Sequence, residues 1–547
     1  MMEEAMTRKT LLAVLAFAGS SLPILAQESY PDLVRFDAEF VEFRKPKLVN
    51  GAPDRSPAAV AAEKKRLDAF RERLRAFDTS SWPVPQRADY LLMWAKLNTL
   101  EFDHRIMKPW ARDPLFYLDY VSDIPYAEVP LASDKKAELA RQLKAVPEIL
   151  RRAEANLTEA NGELAILTLF YLENFDGVGQ GEPYRDNPPA GTIGWYRDLC
   201  ERLQQHHQEL VSDCQAAVQA AAGYRDWLRK NLEKMPKSAA IGMENFDWYL
   251  KHVRLLPFSS EDLILLGERE LHRYRLDYLI ERNKNKGLPE LLLTKTREQH
   301  LDRTRDAERK IRTLVADQNL LTIPEDTPAE FETDVFWSPR SVTTRHFWEE
   351  LQFRNALDNH IHASIPGHRF DGILRQKVQN PIRKSYRDTE RGEGWATYLE
   401  ETLMQAGVTD DNPRARELFY IALIKRGSRI FAETGMHSGK MSVDQANAYM
   451  MEWVPFMEEK LGRYDLVVYL RRPGAGSAYL VGKIQIEKLL SERAFQLGDK
   501  FEIGKFHDEF LSKGIIPVTL IRWEMTGHDD EIQKLWPEVV GAAMKSS

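Results

Sequence analysis

The 547-residue chain carries 76 Lys plus Arg against 83 Asp plus Glu, a net charge of -7, with 43% hydrophobic residues, 13 His and 2 Cys. The apolar content excludes an intrinsically disordered chain, the absence of a basic excess excludes a nucleic-acid partner, and two Cys build neither a disulfide scaffold nor a cysteine zinc site. Any metal chemistry must therefore rest on His and carboxylates.

Residues 11–25 form an apolar run behind Arg8 and Lys9 and in front of Ala26-Gln27-Glu28. This pattern reads as a signal peptide over residues 1–26, cleaved near Ala26, and predicts a periplasmic or secreted protein. No later run approaches the ~20 apolar residues of a spanning helix, so no stable membrane span is expected.

From Ser56 onward the pattern is helical. Ser56-Pro57 supplies an N-cap and a first-turn proline ahead of Val60, Leu67, Phe70, Leu74 and Phe77, which share one helical face. A second run opens at Ser133 through Leu139, Leu143, Val146 and Leu150. Cys200, Leu203, His207, Leu210, Cys214 and Val218 recur at helical intervals with no Gly or Pro between the cysteines. One continuous helix would hold them about 21 Å apart, far beyond disulfide reach; two buried free thiols are predicted, with His207 as a packing residue. Ser259 to Asp262 caps a further helix through Leu263, Leu266 and Leu271, ending at Asn283 or Lys286.

Residues 323–345 are rich in Thr, Val, Phe and Pro and predict a loop or short strands bordering a cleft. Helices then resume, the last over residues 505–513, stopped by Gly514 with Pro517 behind it. The fold class is mainly α: a large helical body with a cleft and at most a small β element near residues 331–345. Residues 27–330 and 331–547 read as two halves of one structure, because no linker composition separates them.

Four of the 13 His fall within residues 346–368, three of them in His360-Ile361-His362-Ala363-Ser364-Ile365-Pro366-Gly367-His368. About 25 residues on comes Glu393-Gly394-Trp395-Ala396-Thr397-Tyr398-Leu399-Glu400. Two imidazoles and one carboxylate leave a position open on a divalent metal, the arrangement of catalytic zinc, which activates water and polarises carbonyls. His362 and His368 are six apart, about 120° out of register on a regular helix; Pro366-Gly367 can end the helix and swing the second His back. The alternative at this point is a plain helix end with partly exposed His.

Residues 350–525 resemble the bacterial family called domain of unknown function 885, whose members are usually exported and look related to the gluzincin metallopeptidases. The resemblance rests on residues 362–368, on residues 393–400, on Thr434-Gly435-Met436-His437, on Pro473-Gly474-Ala475 with Tyr479, and on Phe506-His507-Asp508 before Gly514 and Pro517. Weaker similarity runs upstream through Ile241-Gly242-Met243-Glu244 to Glu270. The resemblance implies gluzincin-like metal-site helices in the C-terminal half. It also implies one zinc ion held by His362, His368 and Glu393, with His437 and Tyr479 as donors toward the substrate or a developing oxyanion. The implied activity is that of an exported metal-dependent hydrolase acting on peptides or another small envelope substrate. Each role has a structural counterpart: Glu393 as a helix cap, His437 as a helix end, Tyr479 as a core aromatic. His507 is read as a structural helix residue.

The chain departs from the family where the motif places a general-base glutamate, since Ala363 stands there, and again at Ala475 in place of Gln. A positioned base is worth about 10²- to 10⁴-fold. Either a neighbour, with Glu390, Glu400 and His360 as candidates, takes over that role, or the chain is a catalytically impaired relative that keeps metal and cleft and binds a peptide or envelope ligand. Loss of the metal as well, leaving a structural protein, is the third alternative.

Overall fold

The computed structural model describes residues 29–175 and 188–537; the signal peptide read from the sequence lies outside the described residues. Helices dominate throughout, and among the described residues the only sheet is a two-stranded antiparallel hairpin, β1 (Leu48–Val49) and β2 (Ala52–Pro53). No described helix is long and apolar enough to cross a membrane.

The capping signals act where the sequence places them. The Ser56 hydroxyl accepts from the Ala59 amide and opens α1 (Pro57–Arg75). The helix α2 (Ser133–Asn156) buries Leu139, Leu143, Val146 and Leu150 on one face. Beyond it, α3 (Gly191–His206) and α4 (Val211–Asn231) do not form the continuous helix predicted over the cysteines. The chain turns at His207, whose Nε2 accepts from the Leu131 amide at 2.9 Å, and α4 runs back along α3. Cys200 and Cys214 therefore face each other across a helical hairpin, with Cα atoms 5.6 Å apart, and are joined by a disulfide. The expectation of free thiols is corrected: a side-chain tether, not a Gly or Pro, ends the helix.

Helix α5 (Ser260–Lys284) starts from a Ser259–Asp262 capping box, and α6 (Arg297–Asp317) follows. Residues 331–345 form an irregular loop with one tight turn over Pro339–Val342 rather than strands. Its backbone is satisfied by side chains of α6 instead of a partner strand: Glu308 accepts from the Phe331 amide at 2.9 Å and the His300 ring reaches the Val335 carbonyl at 2.7 Å.

The C-terminal part is built from α7 (His368–Lys377), α8 (Thr389–Gln405), α9 (Pro413–His437), α10 (Glu459–Arg471), α11 (Ala478–Leu497) and α12 (Ile503–Ser512). Helix α9 is buried on every side along most of its length. It lies against α5 where glycines permit close approach: a Cβ on Gly267 would meet Ile430 at 2.9 Å, and one on Gly427 would meet Leu271 at 3.1 Å. Gly514, with φ of 85°, ends α12 region as predicted, but the chain then continues into Val518–Thr526 and Asp530–Leu535, so α12 is not the last helix.

Candidate metal centre

The helical register problem between His362 and His368 is resolved by a break. Residues His360–Ser364 form a wide π-helical turn, the Ile365–Pro366 peptide is cis, and α7 begins at His368. Gly367 makes this corner possible, because a Cβ on it would sit 1.9 Å from the His362 carbonyl oxygen. The Trp395 indole donates to the Pro366 carbonyl at 2.9 Å and pins the corner to α8.

Glu393 comes from the second turn of α8, and its depth is set where α8 crosses α11. A Cβ on Gly394 would fall 2.4 Å from the Gly482 Cα, so the glycine following the ligand is the contact surface between these helices. The two ligand-bearing helices are also locked together by charge. Arg391 on α8 donates to both oxygens of Asp371 on α7, at 2.7 and 3.1 Å, in a solvent-free pair. Asp371 lies one turn past His368 and Arg391 two residues before Glu393.

The result is a near-equilateral triangle of ligand atoms. His362 Nε2 and His368 Nε2 are 3.2 Å apart, and they lie 3.3 and 3.2 Å from Glu393 Oε2. Ligands about 2.0 Å from a tetrahedral zinc are separated by about 3.3 Å, so the three atoms fit one divalent ion, and two imidazoles with a carboxylate suit zinc. These are the residues that among the described ones group as a possible metal site. The His368 and Glu393 side chains keep 36% and 24% of their surface exposed, so the triangle is not sealed on all sides.

Two of the three groups stand in the form that ligates a cation, while on His368 a proton competes for the same lone pair. Burial, reinforced by the Arg426 guanidinium, pushes His362 down to about 3 and keeps it neutral. Burial works against a charge on His368, yet the Glu393 carboxylate raises it above its usual value. For Glu393, burial is outweighed by the two imidazoles, which hold it well below the carboxylate range. Its charge persists at any physiological pH.

The other residues singled out by sequence are dispersed. Tyr479 is beside the centre: its ring lies parallel to that of His362 with centroids 6.2 Å apart, and the Arg429 guanidinium sits 4.2 Å over the phenol. His437 is fully buried at the end of α9, where Nε2 reaches the Tyr469 carbonyl at 3.0 Å and the ring packs on Phe246. Glu390 is turned toward Arg254, 3.6 Å away, and lines Gly474. His360 is paired with Glu308 of α6 at 2.9 Å. Glu400 does touch the centre, from behind: Oε1 is 2.7 Å from His362 Nδ1, the ring atom opposite the ligand nitrogen. His507 bridges the Leu320 carbonyl and the Tyr398 hydroxyl. Ala363 offers only a methyl group, part exposed.

Several contributors were missed in the sequence. Helix α9 carries Lys425, Arg426, Arg429 and Glu433, all 4% exposed or less, inside an apolar segment. Lys425 and Arg429 share Asp465 of α10 at 2.8 and 3.2 Å, while Arg426 pairs with Glu400. Glu433 accepts from the Gly476 and Ser477 amides and so holds the turn that leads to Tyr479. Charges at helical spacing within an otherwise apolar helix were the available signal.

Two solved structures share this fold. One, described as a putative lipoprotein of unknown function from Shewanella oneidensis, matches with a TM-score of 0.69 at 16% identity over 91% of this chain and 100% of its own. A putative lipoprotein from Colwellia psychrerythraea matches with a TM-score of 0.64 at 14% identity over 93% and 97% of the two chains. No functionally curated protein matches the sequence. The family model for the bacterial proteins of unknown function termed DUF885 matches residues 50–321 and 335–525, more of the N-terminal half than the motifs alone reach. The chain belongs to the DUF885 family.

Proposed function

We propose that this chain is an exported metal-dependent hydrolase of peptide-like substrates whose turnover is limited by the missing base at Ala363. The observation that carries the reading is the triangle of ligand atoms with tetrahedral edge lengths. A zinc ion held there supplies Lewis acidity toward a carbonyl and toward water. His362, His368 and Glu393 would hold the ion, and the stacking of Tyr479 beside His362 supports a role for it in orienting a bound ligand. Export is supported by the signal-peptide pattern of residues 1–26 and by the lipoprotein descriptions of the two structural neighbours.

A second reading, a metal-bearing binding protein of the cell envelope with no useful turnover, is favoured by one specific observation. The three candidate substitute bases are engaged elsewhere: Glu390 with Arg254, His360 with Glu308, and Glu400 on the far side of His362. Peptide-library digestion separates the two. The hydrolase reading expects slow, His362-dependent cleavage that rises about 10²- to 10⁴-fold in Ala363→Glu, the worth of a positioned base. Cleavage that is absent in both proteins leaves the binding reading, and cleavage that persists unchanged in His362→Ala contradicts the metal mechanism.

A further inference from the structure

Helix α5 buries one face in the core and turns a second apolar stripe to solvent. Leu263, Gly267, Leu271, Tyr274 and Tyr278 make up most of its buried face. A helix packed on one side ordinarily carries polar and charged residues on the other. Here Leu265, Leu276 and Leu279 keep 68%, 57% and 51% of their surface exposed, with Ile264 and Ile280 exposed beside them. His272 lies within the same stripe and packs edge-on against Trp453, ring centroids 5.6 Å apart. Scattered apolar residues at a surface are normal, whereas a row of them along one 25-residue helix marks a place of contact.

The charges beside the stripe say what covers it. Leu265, His272 and Leu279 stand seven residues apart, the interval that lines a seam between two helices. Along one flank Glu261, Glu268, Arg275 and Arg282 also stand seven apart, in the order acid, acid, base, base. Successive members of that row are about 10 Å apart along the axis, too far to pair with each other within the helix. Two antiparallel helices bring the same flank of each together. Laid against a second copy in that sense, Glu261 faces Arg282, Glu268 faces Arg275, and Leu265 faces Leu279, while His272 meets its own counterpart near the axis. Arg275 and Arg282 each use one donor within the chain, on the Trp453 carbonyl and the Tyr278 hydroxyl, and a guanidinium has others to give.

We propose that the exposed face of α5 is an isologous dimer interface, on which two copies of this chain pack α5 antiparallel about a two-fold axis near His272. Such an interface is self-complementary: every contact occurs twice, with the roles of the two subunits exchanged. The leucine stripe supplies the area removed from water, and the acid-to-base row sets direction and register. No residue of the candidate metal centre takes part, so the inference stands apart from the metal reading.

Sedimentation equilibrium of the tag-free mature chain over a range of concentrations tests it. The expected result is a species of twice the chain mass, weakened by salt as exposed charge pairs are. Leu276→Glu with Leu279→Glu should give a monomer with unchanged circular dichroism, since both side chains already face solvent. Glu261→Arg and Arg282→Glu, taken singly, each set like charges together twice per dimer and should weaken association by about 10-fold or more; the two combined should restore it. A wild type that is monomeric at every concentration overturns the proposal, as does a dimer that survives Leu276→Glu with Leu279→Glu. A combined charge reversal as weak as the single ones refutes the antiparallel register and with it the proposal. A monomeric wild type that sediments with phosphatidylethanolamine–phosphatidylglycerol vesicles, and is released from them by the two leucine substitutions, assigns the stripe to a membrane surface instead and also overturns it.

Discussion

The disulfide-linked hairpin α3–α4 packs on the body through one face, the helix α9 behind the candidate metal centre is enclosed on nearly all sides, and the two are held by opposite materials. Helix α4 buries Val211, Cys214, Ala217, Ala221, Tyr224 and Leu228, and its position is secured by one covalent link to α3. Helix α9 is enclosed on all sides and includes Lys425, Arg426, Arg429 and Glu433 in that enclosure. Apolar packing is non-directional and tolerates small shifts, whereas charge-assisted hydrogen bonds fix atoms at set distances and angles. Buried ion pairs contribute little net stability relative to apolar side chains of the same volume. What they do here is fix the candidate ligands: Arg391 ties Asp371 and with it the helix of His368, Arg426 and Glu400 bracket His362, and Glu433 anchors the approach to Tyr479.

Arg391→Met leaves Asp371 buried without a partner, and removal of one member of such a pair costs about 3–5 kcal/mol. Urea denaturation should show that loss, and zinc affinity of the folded variant should fall with it, because α7 and α8 lose their common reference. A variant that is destabilised but binds zinc as before would mean that the Gly394–Gly482 crossing alone sets the ligand geometry. At the apolar end, Cys200→Ser with Cys214→Ser opens a loop of about 15 residues and should cost about 3 kcal/mol. Here the zinc stoichiometry should stay unchanged, and a loss would couple the two regions in a way the contrast denies.

Acid sharpens the contrast by a smaller step. Burial pushes His437 and His507 down to about 4, below the value of about 6.5 for an exposed imidazole. The native state binds fewer protons than the unfolded one, so their contribution is complete above pH 6.5 and is lost as the pH falls toward 4. The slope is at most about 1.4 kcal/mol per pH unit for each group. Unfolding free energies measured from pH 7 to pH 5 should decline, and His437→Gln should flatten the decline. An unchanged slope in that variant would place the titration elsewhere.

Much of the helical frame was legible because its signals are local. Ser56, Ser259 and Asp262 cap the helices they were read to cap, and the apolar repeat of residues 139–150 is the buried face of α2. The metal triad was legible through its motif, and the corner at Pro366-Gly367 that its spacing demanded is present. The failures are long-range. Nothing in the sequence between the cysteines marks the turn at His207, since it depends on Leu131, 76 residues away. For residues 331–345 the sequence left loop and short strands open, and the loop prevails because its backbone partners are side chains of α6. Which edge of His362 meets Glu400 is carried by packing and not by residue type.

The function proposed for this chain requires His362, His368 and Glu393 together to hold one divalent metal ion. The most direct test is elemental analysis of the tag-free mature protein after zinc equilibration and removal of loosely bound ions, alongside His368→Ala. About one zinc per chain is expected in the wild type and close to none in the variant. A wild type without zinc, or a His368→Ala protein that retains its full equivalent, would contradict it.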